Sequence, residues 1–119
     1  MIVKHVALDA ICRFDGLQHA KWTVLEVKKT IHCVVSKWPV PGGYLKAAAI
    51  AYRESKFAWW AYNPSGACGI YQHLMSYWPG RENTYDKNLG LGESCYNARS
   101  NIIVAVRMVH ASGWGPWGG

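Results

Sequence analysis

From Lys21 to Ser36 the apolar residues Val24, Val27, Ile31, Val34 and Val35 recur at three- and four-residue intervals, with Lys28 and Lys29 facing outward. That spacing predicts an amphipathic helix. A shorter helix is expected before it, over Leu8 to Arg13. "KWPVPGGY" then halts the pattern: Pro39 and Pro41 lack the backbone donor a helix needs, and Gly42 and Gly43 free the chain to turn. Tyr44 to Ser55 predicts a second helix. One face carries Leu45, Ala48, Ala49 and Tyr52, and the other carries Ala47, Ile50, Ala51 and finally Glu54. A helix apolar on both sides is expected to be buried at the centre of the fold.

Beyond Phe57 the helical period disappears. In "YNPSGACG" the pairs Asn63-Pro64 and Ser65-Gly66 favour tight turns, and short strands are expected beside them. "YWPGRENTYDKNLGLGES" predicts a long polar loop, of the kind that lines or covers a site in a small domain. A third helix is predicted from Tyr96 to His110, with Ile102, Val106 and Val109 as its apolar stripe, Ile103 and Val104 broadening it, and Gly113 just beyond its end. The pattern therefore predicts an α+β domain, mainly helical, with a small lobe of strands and turns beside a central helix. The 119 residues suit one domain: an N-terminal helical segment over 1–37 and a core over 38–117.

Composition sharpens this picture in three places. There are seven Trp and seven Tyr but only two Phe. Trp and Tyr join a flat apolar body to a polar tip, which suits a partly wet groove. The formal net charge is +6, spread along the chain and not gathered into a run. A diffuse positive field attracts polyanions such as a bacterial wall or membrane surface, and the lack of a basic patch ranks nucleic acid last. The four cysteines Cys12, Cys33, Cys68 and Cys95 show no metal-ligand spacing, so no metal is expected. They stay as free thiols in a cytosolic chain or form disulfides in an exported one. If crosslinked, Cys68 with Cys95 is the expected pair, because the loop-rich half has most to constrain. "MIVKHVALDA" does not read as a cleavable signal, and no apolar run approaches membrane-spanning length.

Glu54 is the residue in need of a purpose. Its helical neighbours Ala47, Ile50 and Ala51 are apolar, and desolvation would keep its carboxyl protonated for general-acid work. The structural alternative is an ion pair with Arg53 or Lys56 at the helix end. Trp59, Trp60, Tyr62, Tyr71, Trp78, Trp114 and Trp117 are candidate platforms for sugar faces, with core or rim packing as the alternative for about half of them. Gln72 offers donor and acceptor together, and His73 follows it as a further polar candidate.

Glu54-Ser55 in "YRESKF", followed by "SGACGIYQ" from Ser65 to Gln72, resembles the motif pair of lysozyme-like lytic transglycosylases. "NARSNIIVAVRMV" is similar to a later helix of that superfamily, and the terminal "WGPW" to its resuscitation-promoting-factor branch, in versions found in actinobacteria and their phages. The resemblance covers Trp38 to Trp117, and residues 1–37 gain no support from it. It implies a lysozyme-like fold and cleavage of the β-1,4 bond between N-acetylmuramic acid and N-acetylglucosamine. It also implies Glu54 as catalytic acid, Gln72 and Ser55 beside the substrate, Tyr71 lining the cleft, and Asn101 as a polar contact from the later helix. "GIYQH" stands where "GLMQL" is common, and "AYN" at Ala61 to Asn63 precedes the motif where the superfamily has it later.

A second carboxylate, if one is used, would come from Glu82, Asp86 or Glu93. A single-acid mechanism assisted by the substrate's acetamido group fits at least as well. The expected partners are peptidoglycan glycan strands in the anionic cell wall, reached from outside the cell, through the periplasm or by phage delivery. The chain is expected to work as a monomer without a cofactor. The rival expectations are a glycan-binding module of the same fold that does not cut, and a cationic membrane-active antimicrobial domain.

Overall fold

The computed structural model describes residues 11–14, 22–85 and 94–119. Among the described residues the elements are α1 (Val24–Lys37), α2 (Gly43–Ser55), β1 (Tyr62–Asn63), β2 (Ala67–Cys68), β3 (His73–Leu74), α3 (Trp78–Tyr85), α4 (Ala98–Ser112) and a 3₁₀ turn (Gly115–Trp117). The molecule is α+β and mainly helical, with its strands confined to one small sheet.

Helix α1 begins at a capping box. The Thr23 hydroxyl accepts from the Glu26 amide at 3.1 Å, and the Glu26 carboxylate accepts from the Thr23 amide at 2.8 Å. Val27, Ile31, Val34 and Val35 face inward as their spacing requires, whereas Val24, expected with them, lies at the first turn and is half exposed. α1 packs against α2 and α4, and α3 packs against α4.

The centre of the fold belongs to α4 and not, as the alanine-rich pattern suggested, to α2. Helix α4 buries an almost continuous run from Ser100 to Val106, whereas α2 buries only Ala47, Ile50 and Ala51. The other face of α2 meets water, with Leu45 81 % exposed. Alanines are compatible with either setting because each buries little area, so composition misled where the branched side chains of α4 did not.

The sheet is antiparallel in the order β1–β2–β3, pairing Tyr62 with Cys68 and Cys68 with His73. The Asn63-Pro64-Ser65-Gly66 turn links β1 to β2, with the Ser65 amide donating to Asn63 Oδ1 at 2.9 Å. The expected long loop over 77–94 is helical in its first half, as α3, while residues 86–93 lie outside the described part, as do Asp86 and Glu93. The expected helix over Leu8 to Arg13 also falls largely outside it, and residues 11–13 form no helix. Both cysteine pairs are joined, Cys12 to Cys33 and Cys68 to Cys95. The first ties residue 12 to α1, and the second ties β2 to the entry of α4.

Candidate functional site

Helix α2 ends at Ser55, and the next two residues, Lys56 and Phe57, both have positive φ, at 55° and 64°. This left-handed pair turns the chain sharply away from the helix axis and leaves Glu54 at an open end. Ser55 then fastens that end to the following loop. Its hydroxyl reaches the Ile70 carbonyl at 2.7 Å and the Ala51 carbonyl of its own helix at 3.2 Å. Glu54-Ser55 and the 65–72 loop, separate in sequence, therefore meet.

The Glu54 side chain is 26 % exposed and is not enclosed by the apolar residues that precede it. Its Oε2 accepts from Arg53 Nε at 3.1 Å and from Arg53 Nη2 at 2.9 Å. Arg53 also donates to the Trp117 carbonyl, which ties the ion pair to the C-terminal turn. The expected greasy pocket is thus replaced by a guanidinium partner at a wet edge. The reason is positional: Ala47, Ile50 and Ala51 cover the body of α2, but the carboxylate projects past the last of them. Trp60 and Tyr62, 65 % and 55 % exposed, stand on the neighbouring strand-and-turn lobe with their rings available to a ligand.

Several residues expected at the substrate are instead scaffold. Tyr71 is fully buried, donating its hydroxyl to the Ala47 carbonyl at 2.8 Å, and burial holds its phenol proton far above the ordinary range. Asn101 is fully buried as well. Its Oδ1 accepts from the Tyr71 amide at 2.8 Å, and its Nδ2 donates to the carbonyls of Cys95 at 2.8 Å and Cys68 at 3.1 Å. With its polar atoms taken internally, it has none to offer a sugar. Trp78, Trp114 and Trp117 are buried; Trp114 and Trp117 flank Tyr71, and Trp78 and Trp117 flank His73. Trp59 packs edge-on against Trp22 at 6.0 Å and belongs to the rim of the core.

Gln72 lies between these two groups. It is partly exposed, has φ of 55°, and uses its amide nitrogen on the carbonyls of Gly69 at 3.0 Å and Ala61 at 3.2 Å. Among the described residues its side-chain carbonyl accepts no hydrogen bond, so that end is the one open to a ligand.

His73 is fully buried, and desolvation, with the nearby Arg81 charge, lowers its pKa from 6.5 to about 3. Its Nε2 lies 3.0 Å from the Asn101 carbonyl, which can only accept, so Nε2 carries the proton. Nδ1 is then the acceptor for Arg81 Nη1, also at 3.0 Å. Reading 77–94 as a loop hid Arg81. Its signal was present: Tyr77, Arg81 and Tyr85 are spaced by four and share a face once 78–85 is helical. No cluster of three or more metal-ligating side chains occurs among the described residues, nor is any described helix long and apolar enough to cross a membrane.

Compared with known proteins, the chain gives no significant match to a family model, a curated protein or a solved structure.

Proposed function

We propose that the chain is a peptidoglycan-cleaving glycosidase of the lysozyme-like type, a muramidase or lytic transglycosylase, acting at the bacterial cell wall with Glu54 as general acid and then base. The observation that supports this reading is the Ser55 Oγ bond to the Ile70 carbonyl, which brings the helix-end carboxylate and the Gln72 loop to one edge. Exposed Trp60 and Tyr62 supply flat faces for sugar rings on the same lobe.

In this mechanism Glu54 exchanges its bond to Arg53 for a proton and passes that proton to the glycosidic oxygen. Arg53 remains anchored to the Trp117 carbonyl and is free to bind the carboxylate again once it is ionised. Glu54 then takes a proton from water, giving hydrolysis, or from the sugar's own C6 hydroxyl, giving the 1,6-anhydro product. Of the other described carboxylates, Glu26 is committed to the α1 cap and Glu82 sits on α3. A single acid, with the substrate's acetamido group as internal nucleophile in the hydrolytic case, fits that supply.

A second reading is favoured by one observation. The Arg53–Glu54 ion pair is what a module that grips glycan without cutting it would show. Digestion of purified walls, followed by turbidity and mass spectrometry, separates the two. Cleavage predicts muropeptides from the native protein and a loss of about 100-fold or more in Glu54→Gln. Full clearing by Glu54→Gln removes Glu54 from the mechanism. Retention on insoluble walls without released reducing ends or anhydro-muropeptides establishes the binding module.

A further inference from the structure

On its exposed side α3 borders an open surface hollow of about 550 Å³ lined by Tyr77, Gly80, Arg81, Thr84 and Tyr85. Among the described lining residues the charged one is Arg81, and the way Arg81 is held is unusual for a cation. The guanidinium lies over the Tyr77 ring at 5.3 Å and the Trp117 ring at 5.8 Å. Its hydrogen-bond partner on the protein side is the neutral His73 imidazole. Among the described residues no carboxylate bonds it. Partial burial already disfavours its charged form. The imidazole and the rings orient the fork without neutralising it, so donors remain for an anion in the hollow.

We infer that this hollow is a binding site for a carboxylate on an organic ligand, gripped by Arg81 between the Tyr77 and Tyr85 rings. The aromatic walls favour a carboxylate carried on an apolar or peptide body over a bare inorganic anion. Buried Trp117 links Arg81 to the α2 end through the core, its carbonyl accepting from Arg53 and its ring packing against Arg81. Resting on the function proposed above, the ligand class is the stem peptide of peptidoglycan, whose free carboxylates hang from the muramic acid beside the scissile bond.

Calorimetric titration tests this with N-acetylmuramyl-L-alanyl-D-isoglutamine, its carboxamide analogue and inorganic phosphate. The acid is expected to bind, and the carboxamide to bind about tenfold more weakly or worse. Arg81→Gln is expected to erase the difference. Because Arg81 also braces His73, a second variant is needed. Gly80→Tyr fills the hollow from a position where an added Cβ meets nothing within 4 Å, and it is expected to weaken the acid by a similar factor. Equal affinity for acid and carboxamide, unchanged binding in both variants, or phosphate binding as tightly as the peptide overturns the inference. A failure of the cleavage reading shows up separately, as native protein that binds the peptide acid but releases no muropeptides.

Discussion

The edge around Glu54 and the floor of Tyr71, His73 and Asn101 are joined through the Ser55 bond to the Ile70 carbonyl, yet they are built on opposite terms. At the edge, Trp60 and Tyr62 expose most of their surface and Glu54 shares its charge with Arg53 in partial contact with water. In the floor, Tyr71, His73 and Asn101 are wholly enclosed, and the Asn101 amide satisfies both itself and three backbone groups around it. A buried polar side chain persists only when its hydrogen bonds are made internally. A polar residue in a motif is therefore either an instrument or a support, and the difference lies in whether its partners are already provided.

That contrast predicts where substitutions act. The largest effects fall on the floor. Gly69 has φ of 80°, and a Cβ there would collide with Asn101 Nδ2 and the Cys95 carbonyl. Gly69→Ala and Asn101→Ala should each cost about 3 kcal/mol or more, read from urea unfolding. A loss under about 1 kcal/mol in both would show that the floor is not the scaffold described here.

Acid should attack the same floor. The His73 pKa is about 3 when folded, against an ordinary 6.5. Unfolding thus takes up a proton between those values, and stability falls as pH drops through that window while staying level above it. From pH 7 to pH 5 this single group removes about 2 kcal/mol. His73→Gln should flatten that part of the stability profile, and an unaltered slope would place the acid sensitivity elsewhere.

The left-handed turn that ends α2 should respond more weakly and in the other direction. Lys56 adopts φ of 55° at the end of α2 with its side chain exposed. Lys56→Gly relieves a left-handed conformation and should stabilise the fold by about 1 kcal/mol, seen as a raised Tm. The edge itself should leave stability nearly untouched. Trp60→Ala is expected to shift unfolding by no more than about 0.5 kcal/mol while weakening glycan binding about tenfold. Equal affinity with and without Trp60 would break the comparison at its functional end.

The sequence determined the helices with strong branched-residue periodicity, since burial of Val27, Ile31, Val34 and Val35 in α1 and of Ile102, Val106 and Val109 in α4 follows from their spacing, while Val24 at the first turn of α1 stays half exposed. The caps at Thr23 and Asn97, not singled out by the ranges expected from Lys21 and Tyr96, are equally local, each a bond between residues three apart. The sequence determined as well that Glu54 would stand at the end of α2. What surrounds that carboxylate was decided by the tertiary structure, through Arg53 reaching the Trp117 carbonyl 64 residues away. The third dimension likewise turned Asn101 inward onto β2 and the entry of α4, and set the Arg81 guanidinium against His73 and Trp117. Solvent access and hydrogen-bond partners are properties of approach between distant segments, and a linear pattern carries them only where the partners are neighbours along the chain.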